Sequence, residues 1–136
     1  MKYTLWKIVS VVARNMPIYQ NGIEKFANDV KVISNGQLYI EIYSAGEYEN
    51  IKPYDVFDAV SMGKVEMGFG TSPYWGGEKI PGSNFLYAVP FGLSARDMHA
   101  WLYRGGGLKL WREMYEPFNL IPFPVGNTGG AMGGVV

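Results

Sequence analysis

The residues best suited to bind a ligand lie in a loop rich in aromatic, glycine and proline residues, residues 71–83. Within this loop, Tyr74 and Trp75 offer flat apolar walls, each with one polar group. The loop follows a short predicted strand, and α/β folds place ligands beyond the carboxyl ends of such strands. Arg14, which follows the first predicted strand, would open on the same side, and its guanidinium suits a two-point grip on a carboxylate. The alternative is that the aromatic pair only covers the core and that Arg14 is solvated.

Residues for catalysis or metal binding are scarce in this chain. There is no Cys, and the single His, His99, lies within a predicted helix. A zinc site would therefore need carboxylates alone to complete it. Asp55 and Asp58 are three residues apart on a short predicted helix, and we interpret them as its solvated face rather than as an acid–base pair. The chain is predicted not to be an enzyme, with no catalytic residue and no metal ligand assigned.

The composition indicates an ordered globular chain and argues against several kinds of partner. The 136 residues carry 12 Lys and Arg against 12 Asp and Glu, and 48% of them are hydrophobic. This length suits one domain with a real core, and the hydrophobicity excludes extended disorder. Because the basic residues are scattered, nucleic acid is not expected as a partner. No apolar run approaches the roughly 18 residues of a membrane span.

The elements that must position the aromatic loop alternate between strand-like and helical patterns. Strands are predicted at 3–12, 37–44, 65–70 and 119–125, and helices at 18–34, from Pro53 to Gly63, from Ser94 to the glycines at 105–107, and at 108–115. Such alternation is typical of a parallel sheet with right-handed crossovers. The predicted fold class is therefore α/β, a parallel-type sheet with flanking helices.

Several residues indicate how single elements begin, end or pack. The first predicted strand is apolar on both faces, as expected for a strand covered on both sides, whereas the second alternates like an edge strand. Asn35–Gly36 and Gly63 are predicted helix stops. Ser94 and Asp97 resemble a capping box. The glycines at 68 and 70 would allow something to approach the third strand closely.

The two ends of the sequence bear on whether the chain continues and on where the protein is located. Residues 126–136 are glycine-rich and finish in Val-Val with no closing helix, so we expect a connection whose continuation is missing. The alternative is a frayed tail. The first residues lack the apolar core of a signal peptide, which fits either a cytoplasmic protein or Met1 placed on a mature start.

Three groups of residues together resemble the solute-binding subunit of tripartite ATP-independent periplasmic (TRAP) transporters, the DctP type. Residues 55–68 are similar to the family's helix-into-strand segment. Tyr74–Trp75 with Lys79–Pro81 looks like its first ligand loop. The remaining stretches, which resemble the branch that binds 2-oxo acids, are residues 88–93, 101–103, 105–107 and 119–129. The resemblance covers nearly the whole chain, from Tyr3 to Gly134.

This resemblance implies a two-lobed periplasmic protein of the type II binding-protein fold. Such a protein closes on a small carboxylate, here a 2-oxo acid or a dicarboxylate, and delivers it to membrane permease subunits. Residues 1–125 would form the first lobe, in truncated form, and residues 126–136 would begin the crossing to the second. The arginine that clamps the substrate in the family lies further along the family's chain.

The resemblance also implies which residues bind the ligand. By this resemblance, Tyr74, Trp75 and Asn127 correspond to ligand-binding positions of the family. Arg14 is added as a fourth ligand-binding residue because it follows the first predicted strand. In the oxo-acid branch, a Gln that contacts ligand and cation and a Trp follow the position of Asn127. Ala131 and Val135 stand at those positions here, so no cofactor is assigned, and a bound cation is expected only of the full-length family.

A second interpretation makes this chain a self-associating structural α/β domain with no ligand of its own. Apolar surface left uncovered would then be hidden between two copies that exchange strands, giving a domain-swapped dimer or another homo-oligomer. The residues that distinguish the two interpretations are the apolar run 121–125. An enzyme on the same scaffold ranks last, since no nucleophile–base pair is present.

Overall fold

The chain folds as two units, an N-terminal unit of Met1–Gly70 and a C-terminal unit of Thr71–Val136. The structure, a computed structural model, describes residues 3–77, 79–87, 89 and 92–126. The predicted division between residues 125 and 126 falls at the end of the described part. It stays a prediction, because residues 127–136 lie outside the described residues.

A parallel sheet lies at the centre of the N-terminal unit. Its strands in the described residues are β1 (Thr4–Ser10), β2 (Leu38–Ser44) and β3 (Met67–Phe69), in the order β2-β1-β3. All of β1 pairs with β2, whereas β3 pairs only with residues 8–10 of β1. The predicted parallel α/β class and the edge position of the second strand are both confirmed.

The core lies on both faces of the carboxyl half of β1. On one face, Ile8 packs with Tyr19 and Ile23. On the other face, Val9 packs in a cluster with Ile51, Val56, Ala59 and Val65. The prediction of a strand covered on both sides is right for residues 8–10 and wrong for Thr4–Trp6, which are exposed. The difference follows from the packing on the two faces, because the buried clusters include Ile8 and Val9 but no residue of Thr4–Trp6.

The first crossover is a π-helical segment, Tyr19–Glu24, that continues into helix α1, Lys25–Ile33. It ends as predicted, because Asn35 and Gly36 adopt left-handed φ values of 51° and 72°. Its predicted apolar face is only partly buried. Ile23 and Ala27 are buried, but Phe26 is 43% exposed and Ile33 is 84% exposed.

The second crossover is helix α2, Val56–Ser61, and Gly63, with a left-handed φ of 71°, turns the chain two residues after its end. A Cβ on Gly68 of β3 would lie 2.9 Å from Val56 Cγ1 and 3.0 Å from Val60 Cγ2. The predicted close approach at this glycine is confirmed, and the approaching element is α2. Glycine is needed at this position because α2 packs directly against the β3 backbone.

A carboxylate extends the pairing between β1 and the residues before β3. The Glu66 side chain accepts the backbone N–H of Lys7 at 2.7 Å. Lys7 precedes the first β1 residue that pairs with β3. Glu66 therefore continues the hydrogen bonding of the strand pair with a side chain where the backbone ladder has stopped.

The C-terminal unit contains two helices, α3 (Ala95–Arg104) and α4 (Gly107–Tyr115). Short 3-10 turns occur at Ser72–Tyr74, Ser83–Leu86 and Glu116–Phe118. The predicted capping of α3 is confirmed, since Ser94 Oγ accepts the Asp97 backbone N–H at 3.2 Å. None of the helices in the described ranges has the length and apolar character needed to cross a membrane.

The glycines at 105–107 separate α3 from α4 as predicted. Gly106 adopts a left-handed φ of 86°. A Cβ on Gly105 or Gly107 would approach the Trp101 side chain to 2.8 Å and 2.7 Å. The break therefore packs against Trp101, and side chains at these two positions would displace the indole.

The strand predicted at residues 119–125 is wrong, since none of residues 119–126 is part of a strand. Asn119 adopts a left-handed φ of 58°, which turns the chain after α4. Pro122 and Pro124 follow, and neither has an N–H to donate to a sheet. The apolar pattern was therefore misleading, because strand pairing needs backbone donors as well as apolar side chains.

Candidate ligand-binding site

Two of the predicted ligand-binding residues lie side by side at the start of the C-terminal unit. The 3-10 turn Ser72–Tyr74 contains Tyr74, and the backbone N–H of Trp75 closes the turn on the Ser72 carbonyl at 3.1 Å. The ring centroids of Tyr74 and Trp75 are 6.4 Å apart, with an interplanar angle of 44°. Both residues are half-buried. The pair therefore forms a bent aromatic surface on a tight turn.

The indole of Trp75 is held from within the same unit. Its Nε1–H donates a hydrogen bond to the hydroxyl oxygen of Tyr115, the last residue of α4. Tyr115 is buried, and burial raises the pKa of its phenol. The hydroxyl is therefore neutral at ordinary pH. The polar group that Trp75 was expected to offer a ligand is used inside the protein.

Tyr115 is a residue that the sequence interpretation missed. Nothing in the spacing connects it to Trp75, because the two residues are 40 positions apart. A local signal exists only for its packing: Trp111 is one helical turn earlier, and the two rings meet edge to face at a centroid distance of 6.0 Å.

The backbone after Trp75 is enclosed by oxygen atoms. A Cβ on Gly76 would lie 2.7 Å from Ser83 Oγ and 3.0 Å from the Ser72 carbonyl oxygen, and it would also meet Asn84 Oδ1. Ser72 and Ser83 are buried. No side chain fits at position 76, so glycine is required for the turn to pack against the 3-10 segment at Ser83–Leu86.

Arg14 lies in the N-terminal unit and already holds a carboxylate. Its Nε donates to Glu47 Oε1 at 3.0 Å and its Nη2 donates to Glu47 Oε2 at 2.7 Å. The same Nη2 also donates to the Ile42 carbonyl at 3.3 Å, and the guanidinium lies 5.5 Å from the centroid of the Tyr19 ring. The two-point grip predicted for a solute is made to a side chain of the same unit.

Glu47 is fixed by more than this ion pair. Its Oε2 also accepts the backbone N–H of Ser44 at 2.8 Å. The hydrogen bond from Arg14, followed by that from Ser44, lowers the pKa of Glu47 to about 2. The carboxylate is thus charged at neutral pH, and it holds Arg14 against the end of β2.

Two further polar residues bear on the site, Asn127 and His99. Asn127 lies outside the described residues, so its predicted contact with a ligand stays a prediction. His99 is exposed on α3, with its ring centroid 4.6 Å from that of Tyr103. Across the described ranges, no three His, Cys, Asp or Glu side chains gather as they would around a metal ion.

Several known proteins similar to this chain are bacterial solute-binding proteins of transport systems. A sequence model of the bacterial extracellular solute-binding proteins of family 7, DctP, matches residues 8–134. A monocarboxylate 2-oxoacid-binding periplasmic protein from Nostoc is 44% identical over 113 residues, which cover 83% of this chain and 30% of the relative.

Solved structures agree with this match. A TRAP periplasmic solute-binding protein from Colwellia psychrerythraea, with bound calcium and pyruvate, superposes with a TM-score of 0.81 at 35% identity. One from Pseudoalteromonas atlantica, with bound sodium and pyruvate, gives the same two values. Both alignments cover 91% of this chain, and they cover 37% and 36% of the respective relatives. One from Sulfurospirillum deleyianum, with bound succinate, is 18% identical and shares the fold, with a TM-score of 0.67.

These matches cover most of this chain but only part of each relative. The chain spans about a third of the length of the relatives that it matches. Within the chain, however, the family model matches residues 8–134, a range that contains the carboxyl half of β1, the strands β2 and β3, and the pair Tyr74–Trp75. The chain belongs to family 7 of the bacterial extracellular solute-binding proteins, the DctP family.

Proposed function

We propose that this chain forms part of the periplasmic solute-binding component of a TRAP transporter and contributes to binding a small 2-oxo acid. The ligands named for the relatives at 35–44% identity, a monocarboxylate 2-oxo acid and pyruvate, support this ligand class. A dicarboxylate ranks second, because the succinate-bound relative is only 18% identical. The partners proposed for the whole protein are membrane permease subunits.

The observation that carries the proposal is the aromatic turn, that is, the 3-10 turn Ser72–Tyr74 together with Trp75. Tyr74 and Trp75 present two half-buried ring surfaces on a turn closed by the Ser72 carbonyl. Flat apolar surfaces suit the methyl and keto carbons of a compact oxo acid, which have little polar surface to satisfy. With Asn127 and Arg14, these residues make up the proposed ligand contacts of this part of the protein.

The carboxylate of a solute needs a positively charged partner, and the candidate in this part of the chain, Arg14, is already paired. The Arg14 guanidinium is engaged by Glu47 through two hydrogen bonds. Arg14 can therefore reach a solute carboxylate only by giving up that pair. We propose that the residues described here supply the wall of the site and that the second lobe of a full-length protein supplies the main carboxylate contact. Ligand would then favour the closed state of the two lobes.

The test is a titration of the 136-residue chain with pyruvate, a longer 2-oxo acid and succinate, each with and without sodium or calcium. Backbone amide and indole N–H NMR signals detect binding at millimolar affinity, and the Trp75 indole signal shows whether Trp75 is at the site; the Trp75 variant is followed by the backbone amide signals. We expect weak, millimolar binding of pyruvate that perturbs the Trp75 signal. Trp75→Ala should abolish the response, whereas the control Tyr103→Ala, which removes a half-exposed ring of α3, should retain it.

Two results would contradict the proposal. One is a pyruvate response that persists unchanged in Trp75→Ala. The other is micromolar binding by the isolated monomer, which would mean that the site needs no second lobe. A response that requires sodium or calcium would add a cation to the proposed site.

A further inference from the structure

We propose that Tyr115 is a positioning residue for the ligand-binding surface formed by Tyr74 and Trp75. Its hydroxyl fixes the orientation of the Trp75 indole. The inference rests on the proposed function for its consequence, that ligand binding depends on Tyr115 although Tyr115 acts only through Trp75. The hydrogen bond, the burial of Tyr115 and the anchoring of α4 each contribute to the inference.

The turn fixes the backbone of Trp75 but leaves its ring undetermined. The bond from the Trp75 backbone N–H to Ser72 and the enclosure of Gly76 hold the chain on both sides of the residue. Two side-chain torsions still separate the indole from this backbone. The hydrogen bond to Tyr115 fixes the polar edge of the ring, and the ring then has one orientation relative to Tyr74.

The acceptor is itself held rigidly. Tyr115 is 5% exposed, and Trp111 packs edge to face against its ring. α4 begins at Gly107, where the backbone lies against the Trp101 ring. A residue at the end of such a helix has little freedom to follow a moving partner, so Tyr115 acts as a fixed point for Trp75.

In this hydrogen bond, Trp75 is the donor and Tyr115 is the acceptor. An indole N–H can only donate, so the phenol oxygen must accept. Burial raises the pKa of the Tyr115 phenol, which therefore stays neutral through the physiological range. A Phe at this position would keep the ring packing and remove the hydroxyl, which interacts with the indoles of Trp75 and Trp111. The indole N–H would then lose this hydrogen bond, and the ring would be held less firmly.

The experiment compares Tyr115→Phe with wild type by indole N–H NMR of the four tryptophans. The Trp75 signal is assigned by its loss in Trp75→Phe. We expect Tyr115→Phe to shift the Trp75 signal, to speed its exchange with solvent and to increase its side-chain mobility. The signals of Trp6 and Trp101 should stay in place. The matched control, Tyr103→Phe on α3, should leave the Trp75 signal unchanged.

A pyruvate titration of the same variants, followed by backbone amide N–H signals that all of them retain, gives the functional consequence. Loss of one net hydrogen bond should weaken pyruvate binding about three- to tenfold in Tyr115→Phe. In the background of Trp75→Phe, the same substitution should cause little further loss, because Tyr115 acts only through Trp75. Additive losses in this double-mutant cycle would overturn the inference.

The two proposals fail in different ways. An unchanged Trp75 signal in Tyr115→Phe overturns the positioning role, whatever happens to pyruvate. Absence of any pyruvate response in wild type counts against the proposed function, and the NMR comparison still decides the role of Tyr115. If Tyr115→Phe does not fold, the hydrogen bond is tested in wild type by the rate at which the indole N–H groups exchange with solvent. The Trp75 indole N–H must then exchange more slowly than that of Trp6, which is 40% exposed.

Discussion

Arg14 and Glu47 are joined by a two-point ion pair, with Nε to Oε1 at 3.0 Å and Nη2 to Oε2 at 2.7 Å. The geometry is the one expected of an arginine that recognises a solute carboxylate. Here the carboxylate belongs to the loop after β2, and the Ser44 backbone N–H holds it in place. The pair therefore joins the loops that follow β1 and β2, which are neighbouring strands in the sheet.

The first prediction concerns the pH dependence of this pair. The pKa of Glu47 falls from 4.5 to about 2 on folding, so its contribution to stability is present above pH 4.5 and is lost as the pH falls toward 2. Glu47→Gln should therefore lower the Tm of the chain at neutral pH, and the difference from wild type should shrink below pH 4.5. Thermal unfolding followed by circular dichroism from neutral to acid pH checks this. A difference that is independent of pH would contradict it.

The second prediction concerns the availability of Arg14 to a ligand. If Arg14 contributes to the site, Glu47→Gln should strengthen pyruvate binding, because the guanidinium loses its competing charge. Arg14→Gln should weaken binding. Both effects are measured by the NMR titration described above. Equal pyruvate affinity in the two variants and in wild type would remove Arg14 from the proposed site and leave it as a link between two loops.

The third prediction concerns Gly68. Its replacement by Ala puts a methyl group 2.9 Å from Val56 Cγ1 and 3.0 Å from Val60 Cγ2, so α2 must move or β3 must bend. We expect Gly68→Ala to lower the free energy of unfolding by about 1–3 kcal/mol in urea. Gly22→Ala is the control within the same unit, because its Cβ would make only an ordinary contact of 3.5 Å with Ile18.

A second substitution separates crowding from other causes. Val60→Ala removes one of the two methyl-bearing groups that Gly68→Ala would meet, so the double variant should be less destabilised than the sum of the two single variants. Strict additivity would mean that the loss of stability in Gly68→Ala has another origin.

The fourth prediction concerns the apolar residues that follow α4. Ile121, Phe123 and Val125 are 71%, 62% and 66% exposed, which is unusual for three large apolar side chains so close in sequence. If they associate with a second copy, sedimentation of the chain should depend on concentration, and Phe123→Asp should shift it toward monomer. Tyr103→Ser, which removes a half-exposed ring elsewhere in the C-terminal unit, should not. A wild-type chain that is monomeric at all concentrations would exclude the homo-oligomer.

Features that depend on a few adjacent residues could be predicted from the sequence. The stop at Asn35–Gly36 and the turn at Gly63 after α2 need only a residue that tolerates a left-handed φ. The cap at Ser94 needs only an oxygen three residues before an N–H. The order of strands and helices followed from the alternation of periods, and with it the parallel class of the sheet.

Features that depend on distant partners could not be predicted. The partner of Trp75 is 40 positions away, and that of Arg14 is 33 positions away. No periodicity connects either pair. The exposure of Ile33 and of residues 4–6 depends likewise on how far neighbouring elements extend. Sequence patterns indicated which side chains are suited to bind a ligand, but not which of them are already occupied by the protein itself.

The order of strands in the sheet has a consequence for the growing chain. β1 is made first but lies in the middle, between β2 and β3. Until β3 is present, residues 8–10 of β1 have backbone N–H and C=O groups without a strand to pair with on that side. The sheet can therefore be completed only when its last and shortest strand has been added.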